Sequence, residues 1–237
     1  MLYPLSILSL VLLALIHLTQ GHSQTLVAGN VLSSLQNDTL PLGTRAYWMR
    51  RANQALSDLA SPCPFAAFGT AIVNHTDTSV DARGKLVCIG ANNRTLTGNP
   101  ILHGEIAAIN NCTAILTDPQ GPYNLTGSEA LAAFADLSLY TNAESCPMCA
   151  SAIRWAGFKE YIFGTTIDTL IEQGWGQIDI SSREVFDASL DVGTDTAYRG
   201  RVLTNETDPY FAWQFQQQVP CPVGCARTQD GSSCAAL

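Results

Sequence analysis

Two short segments limit the possible folds of this chain more than any other feature of its sequence. The first, His-Gly-Glu, runs from His103 to Glu105, and the second, Cys-Pro-Met-Cys, runs from Cys146 to Cys149. The spacing of apolar residues predicts that each segment lies at the beginning of a helix, and that a strand precedes the second. A fold that contains both must therefore present two helix N-termini.

The residue types in these segments are those that bind zinc in proteins. A catalytic zinc site uses three protein ligands and leaves one position open, and thiolates and imidazoles are preferred ligands. His103, Cys146 and Cys149 supply three ligands. Two cysteines three residues apart on the first turn of a helix can reach one ion, and the helix N-terminus stabilises their thiolates. The sequence therefore predicts a Zn²⁺ site at these three residues.

Glu105, two residues after His103, indicates catalysis rather than structural support. A structural zinc site would usually have a fourth cysteine or histidine, whereas a hydrolytic site needs a general base beside the metal. The combination His-x-Glu and Pro-Cys-x-x-Cys is typical of zinc deaminases that act on nucleobases. Glu105 is therefore the predicted acid/base residue.

The pattern of predicted elements indicates an α/β protein. After a first helix, strands and helices alternate, which favours a sheet with some parallel pairs that helices cover. The predicted helices cover residues 46–59, 101–116, 147–157 and 168–173, and the predicted strands cover 65–73, 85–91, 137–141 and 160–165. A further helix is predicted over 208–218.

The N-terminal sequence predicts export from the cell. Leu5–Leu18 is nearly all apolar, which suits a secretory signal better than a membrane span. We predict a cleaved signal peptide over residues 1–23, with an uncleaved anchor as the alternative, and a protein without membrane attachment after cleavage. Six Asn-x-Ser/Thr sequons predict a glycosylated, extracellular protein; they begin at Asn37, Asn74, Asn93, Asn111, Asn124 and Asn205.

Cysteine content and charge limit the chain further. Besides the Cys-x-x-Cys pair, six cysteines remain, and three disulfides among them allow 15 pairings that the sequence does not distinguish; they are Cys63, Cys88, Cys112, Cys221, Cys225 and Cys234. The net charge is −8, and lysine and arginine form no cluster. Binding to a nucleic acid polymer needs such a cluster, so a small molecule is the predicted substrate.

The motifs identify a family resemblance over about residues 46–175. The chain resembles the cytidine deaminase-like superfamily, in particular its guanine and tRNA-adenosine deaminase branch and the fungal cytosine deaminases. The similar segments are Pro64-Phe65, Gly90 to Asn92, Pro100 to Glu105, Leu139 to Thr141, Glu144 to Cys149 and Ala152-Ile153. The resemblance implies a three-layer α/β/α fold with a mixed central sheet.

The resemblance also implies a reaction and further site residues. It implies hydrolytic deamination of a free nucleobase, guanine first and cytosine second, or of a nucleoside. Asn92 stands where these deaminases hold the base, Phe65 is a candidate for the base pocket, and Glu144 for the edge of a purine. A homodimer is expected on the same ground. The predicted organisation is a signal peptide (1–23), an N-terminal arm (24–45), a zinc deaminase domain (46–180) and a C-terminal extension with a Cys-rich tail (181–237).

The sequence departs from the family pattern at two positions and leaves two alternative functions open. Ser145 stands where the family usually has proline, and the sequon at Asn93 adjoins the predicted substrate residue Asn92. The cysteine pair is also compatible with a redox protein. A non-catalytic secreted zinc-binding module on the same scaffold is the other alternative.

Overall fold

The computed structural model describes residues 40–237. The predicted signal peptide, the first part of the predicted arm and the sequon at Asn37 lie outside the described residues. The central sheet has five strands in the order β2-β1-β3-β4-β5. β1 pairs antiparallel with β2 and β3, whereas β3, β4 and β5 are parallel, so the sheet is mixed as predicted. The strands are β1 (Gly69–Asn74), β2 (Lys85–Ala91), β3 (Ser138–Ala143), β4 (Glu160–Thr165) and β5 (Ala197–Arg199).

The described residues form six α-helices of seven or more residues and three α-helices of a single turn. The longer ones are α1 (Leu42–Leu59), α3 (Gly104–Thr117), α4 (Gly127–Ala133), α5 (Pro147–Ala156), α6 (Ile167–Gln173) and α7 (Ser182–Ala188). Three single-turn helices are α2 (Arg94–Thr97), α8 (Thr204–Thr207) and α9 (Pro209–Ala212), and a terminal hairpin consists of β6 (Cys225–Arg227) and β7 (Cys234–Ala236). Among the described residues, no helix is both long and apolar enough to cross a membrane.

Side chains of the sheet alternate between two apolar layers. Ala71 and Val73 of β1 pack with α1, whereas Ile72 between them packs with residues of α3 and α5. This alternation follows from the two-residue repeat of a strand, and it places helices on both faces of the sheet. The three-layer α/β/α arrangement is therefore confirmed.

The contact between α3 and β2 sets the position of the first motif. A Cβ atom at Gly90 would lie within 3 Å of the backbone of Ala108, so only glycine permits this close approach. The disulfide between Cys88 and Cys112 joins the same two elements. The helix that begins just after His103 is thus fixed to the sheet both by packing and by a covalent bond.

Several predicted boundaries differ from those in the structure. Residues 42–45 of the predicted arm belong to α1. The strand predicted from Phe65 begins only at Gly69, because Ala66 has a positive φ of 58° that no strand residue adopts. The helix predicted over 208–218 is present only as the single turn α9, which ends at Ala212.

The part after residue 180 contributes to the central sheet. β5 pairs with β4 in parallel register, and residues 40–237 form one compact unit. The sheet thus crosses the boundary that the sequence analysis draws after residue 180. Three disulfides are present, as predicted, with the pairing Cys63–Cys225, Cys88–Cys112 and Cys221–Cys234.

Candidate active site

Both predicted motifs lie at helix N-termini, and the fold brings these termini together. His103 immediately precedes α3, and Cys146 immediately precedes α5, which has Pro147 as its first residue. Proline suits this position because its missing N–H is not needed there and its φ is already helical. The dipoles of the two helices therefore direct positive ends at one point, which favours thiolates.

The three predicted metal ligands converge. His103 Nδ1 lies 3.5 Å from Cys146 Sγ and 3.6 Å from Cys149 Sγ. The candidate ligand atoms all lie within 4.8 Å of one another. One imidazole nitrogen and two sulfur atoms form a donor set that suits zinc and leaves a fourth position free for a water or a substrate. The residues therefore fit the predicted metal.

The thiols at this site are unpaired and differ from each other in acidity. Among the eight cysteines, all within the described residues, only Cys146 and Cys149 are free of disulfides. Hydrogen bonds from Cys149 and from His103 lower the pKa of Cys146 to about 4. The hydrogen bond to Cys146 and burial raise the pKa of Cys149. Two thiols that converge with a histidine favour a metal site over the redox alternative.

Glu105 lies beside the ligands in a position suited to proton transfer. Only 4% of its surface is exposed, and its position in the first turn of α3 directs it to the same cavity as His103. Burial, and after it the negative charge of Cys146, raise the pKa of Glu105. A carboxyl group with a raised pKa can both accept and donate a proton near neutral pH.

A cavity of about 320 Å³ opens in front of these residues. Its polar lining includes Asn92, Arg94 and Glu144, and its apolar wall includes Phe68, Met148, Trp175 and Ile178. This volume is at the lower end for pockets that hold small organic ligands. The cavity suits a small planar ring better than a polymer.

The structure places Asn92 at this cavity. Its backbone N–H donates to the Phe68 carbonyl at 2.9 Å, and its Oδ1 accepts from the Arg94 N–H at 3.2 Å. Asn93, which carries the sequon, lines a separate cavity together with Asn111. Asn92 lines both cavities, whereas Asn93 does not line the cavity at the metal site.

Phe65 does not line the cavity. Its side chain is 67% exposed, and its ring packs against Trp175 with 5.4 Å between centroids. Phe68, three residues later, lines the cavity instead. The positive φ of Ala66 separates the two phenylalanines, and the sequence pattern had assigned both to one strand.

Glu144 lines the cavity, but its carboxylate already accepts four hydrogen bonds. The Tyr198 hydroxyl donates to Oε1 at 3.5 Å. Oε2 accepts from the Ile167 N–H at 3.0 Å, and Oε1 also accepts from the N–H and hydroxyl of Ser182 at 2.9 and 2.7 Å. These bonds connect the end of β3 to the starts of α6 and α7. Glu144 is therefore buried and bonded rather than solvated.

Ser145 uses an N–H that a proline would lack. This N–H donates to the hydroxyl oxygen of Tyr161 at 2.8 Å, and both residues are fully buried. The Ser145 hydroxyl lies beside Glu105, where hydrogen bonding to the carboxylate opposes the rise in the pKa of Glu105. The departure from the family pattern therefore exchanges the rigidity of a proline for one buried hydrogen bond in the turn before Cys146.

Sequence reasoning missed the segment that follows α6. Trp175, Gln177 and Ile178 line the cavity directly after Gly174, whose positive φ of 106° ends the helix. The Trp175 indole N–H donates to the Phe211 carbonyl at 3.2 Å, which connects this wall to the C-terminal segment. The only sequence signal was the helix stop at Gly174, and it does not reveal where the chain goes next.

Comparisons with known proteins agree with this site. Residues 43–165, about half of the chain, match the family model of the cytidine and deoxycytidylate deaminase zinc-binding region. The chain is 30% identical to the guanine deaminase of Bacillus subtilis over 131 residues, which cover 55% of this chain and 74% of that protein. It is 29% identical to a probable cytosine deaminase of Schizosaccharomyces pombe over 127 residues, 52% of this chain and 64% of that protein.

Solved structures agree on the fold. A mutant of the protein NE0047 in complex with 8-azaguanine superposes with a TM-score of 0.50 at 16% identity, over 79% of this chain and 93% of that chain. A complex of NE0047 with 2,6-diaminopurine also gives a TM-score of 0.50, at 17% identity, over 78% of this chain and 88% of that chain.

The site geometry and the family match lead to one assignment. His103, Cys146 and Cys149 are close enough together to hold a metal ion, and Glu105 lies beside them in a small cavity. The match to the family model covers all four residues. This chain belongs to the cytidine and deoxycytidylate deaminase zinc-binding family, and it is a zinc-dependent hydrolytic deaminase.

Proposed function

We propose that this deaminase removes the amino group from a free nucleobase, with guanine as the first candidate and cytosine as the second. The observation that carries the proposal is the single cavity that joins the metal ligands, Glu105, the Asn92 amide and an aromatic wall. A planar base can stack on Phe68 and Trp175 while its edge pairs with the amide of Asn92. The 30% identity to a guanine deaminase gives guanine its first place.

Cytosine remains the second candidate because of two relatives. The probable cytosine deaminase of Schizosaccharomyces pombe and the cytosine deaminase of Candida albicans are 29% and 27% identical to this chain. Their identity is nearly that of the guanine deaminase. Pocket contacts decide between such substrates, and here these include Gln177 and Ile178 from the segment after α6.

The residues around the cavity have different roles in the proposed reaction. His103, Cys146 and Cys149 would hold the zinc ion, which would supply the Lewis acidity that activates water near neutral pH. Glu105 would accept a proton from the attacking water, donate it to the ring nitrogen and assist the departure of ammonia. Asn92 holds the ring so that its amino-bearing carbon faces the metal. One water is consumed, and the C–NH₂ group becomes a carbonyl with release of ammonia.

Glu144 supports the substrate site indirectly in this proposal. Its carboxylate accepts three hydrogen bonds from Ile167 and Ser182, and these bonds hold the turn that carries Cys146. The side chain that contacts the base at this wall is then Phe68 or Trp175, and Phe65 supports Trp175 from behind.

We further propose that the protein acts outside the cell, as a glycosylated homodimer. The apolar N-terminal segment and the sequons support export, and the three disulfides suit an oxidising compartment. Light scattering of the secreted protein tests the dimer, and a purely monomeric species would overturn it. Retention of the full chain inside an expressing cell would overturn the proposed export.

Ammonia release by the zinc-loaded secreted protein tests the reaction against guanine, cytosine, adenine and their nucleosides. We expect one free base to be the best substrate, and release to stop when a chelator removes zinc. No release from guanine or cytosine would contradict the proposed substrate class.

Glu105→Gln is the matched variant, because it keeps the shape of the side chain but cannot accept the proton. We expect zinc at one equivalent and turnover reduced by at least about a thousandfold. Turnover near the wild-type rate would refute the assigned role of Glu105.

A further inference from the structure

A second and larger cavity lies between α1 and the C-terminal segment. Its volume is about 530 Å³, and it shares no lining residue with the cavity at the metal site. One wall is a polar stripe of α1 that includes Arg50, Asn53 and Ser57, residues three to four apart on one helix face. The opposite wall includes Asn205 and Tyr210. We call this cavity the α1 groove.

Asn53 in the wall of the α1 groove has unmet hydrogen-bonding capacity. Its exposed fraction is 7%, and its Oδ1 has no hydrogen-bond partner among the described residues. Buried amide groups in folded proteins are almost always paired, since an unpaired one costs free energy. Asn53 lines the α1 groove, so its amide offers a hydrogen-bonding group to a polar partner there, although Oδ1 itself is enclosed.

The opposite wall carries a site for covalent attachment of such a partner. Asn205 is exposed and is the first residue of an Asn-Glu-Thr sequon. The next residue, Glu206, is held in place by Arg50, whose Nε and Nη2 donate to its two carboxylate oxygens at 2.7 and 2.6 Å. This bidentate ion pair fixes the sequon against α1. The half-buried ring of Tyr210 lies on the same side of the groove.

We propose that the first sugars of an N-linked glycan on Asn205 occupy the α1 groove. An N-acetylhexosamine has an apolar ring face that packs on an aromatic side chain such as Tyr210, and amide and hydroxyl groups that pair with Asn53. The inference rests on the proposed export of the protein, because N-glycans are added in the secretory pathway. The glycan covers the junction of α1 with the C-terminal segment and adds contacts that the polypeptide alone does not make.

The sequons at Asn111 and Asn124 lack these features. Asn111 uses its Nδ2 as a donor to the Ile89 carbonyl at 2.9 Å, so its amide is already occupied. Asn124 is exposed on a turn with a positive φ of 46°, and it lines neither the α1 groove nor the metal-site cavity. Asn124 is therefore the matched control for a glycan that makes no groove contacts.

The test uses the full chain secreted from a glycosylating eukaryotic host. Peptide mass spectrometry first establishes occupancy at Asn205 and Asn124. Native protein is then treated with an endoglycosidase, and the rate of trimming is followed at each site. We expect the Asn205 glycan to be trimmed at least about tenfold more slowly than the Asn124 glycan, because the groove covers its first sugars. An unoccupied Asn205, or equal trimming rates, would overturn the proposal.

Thermal unfolding of variants gives an independent readout. We expect Asn205→Gln to lower the melting temperature by about 3 °C and Asn124→Gln to change it by less than about 1 °C. Asn53→Ala should be destabilising only when the Asn205 glycan is present. Equal shifts for Asn205→Gln and Asn124→Gln, or the same effect of Asn53→Ala with and without the glycan, would refute the groove contact. Deaminase activity plays no part in these outcomes, so they are independent of the proposed substrate.

Discussion

The cysteines at the start of α5 and those of the C-terminal segment differ in oxidation state. Cys146 and Cys149 remain thiols that face His103, whereas Cys221 and Cys225 are bonded in disulfides. The first pair lies beside the largest apolar cluster, in which the Cys88–Cys112 disulfide also joins α3 to β2. The C-terminal cysteines surround a small cluster centred on Trp213.

This difference shows how local packing decides the use of a thiol. Cys146 and Cys149 converge on a histidine and are available to bind a metal, whereas Cys88 and Cys112 in the large core are cross-linked. Where the apolar cluster is small, burial supplies little stability and covalent bonds add to it. The first two predictions below separate the two uses, because each removes one of them and leaves the other in place.

Removal of a metal ligand should have the largest effect on activity. We expect Cys149→Ala to lose stoichiometric zinc and to lower deaminase activity by at least about a thousandfold, since the metal supplies several kcal/mol of transition-state stabilisation. The three disulfides and the far-UV circular dichroism should remain as in the wild type. Elemental analysis measures the zinc content, and an assay of ammonia release measures the activity. A variant that keeps one zinc per chain would contradict the ligand assignment.

Removal of a structural disulfide should affect stability and leave the metal in place. The double variant Cys63→Ala/Cys225→Ala opens a link between residues 162 apart in sequence. We expect the free energy of unfolding to fall by about 4 kcal/mol, because the unfolded chain gains conformational entropy. Denaturant unfolding and zinc content measure both effects. If the folded variant lost its zinc, the two groups of cysteines would not be independent.

A smaller effect is expected in the turn before Cys146. Ser145→Pro removes the N–H that donates to Tyr161 and should lower the free energy of unfolding by about 1 kcal/mol, with zinc retained. Ser145→Ala keeps this N–H and removes only the hydroxyl, so it should lower the free energy of unfolding by less than Ser145→Pro does. Denaturant unfolding measures the free energy of unfolding of both variants. Equal destabilisation by both would assign the effect to the hydroxyl and contradict the role of the N–H.

The sequence alone was sufficient to predict the structure where the local residue pattern and the chemistry of the residues indicate the same element. The four residues His103, Glu105, Cys146 and Cys149 were predicted at helix starts because residue type, spacing and the Pro at the first turn all indicate the same structure. The first four strands were predicted near their observed positions for a similar reason, since short apolar runs between turn signals have few other interpretations.

The cavity wall was less predictable, because tertiary contacts determine it. Phe65 and Phe68 stand in one apolar run, and only the positive φ of Ala66 decides which of them reaches the cavity. Trp175 lines the cavity because Phe211, distant in sequence, accepts its indole N–H. Two missed helices, α4 and α7, do carry a local signal, since each begins with a capping box, Thr126 with Glu129 and Ser181 with Glu184.

The span of the Cys63–Cys225 disulfide bears on the order in which the protein can form. Synthesis proceeds from the N-terminus, so Cys88 and Cys112 can pair while later residues are still being added, whereas Cys63 must wait for a partner near the end of the chain. During that interval Cys63 is exposed to wrong partners, including the free thiols of Cys146 and Cys149. In the oxidising compartment that we propose, correct maturation would therefore depend on early metal capture or on enzymes that reshuffle disulfides.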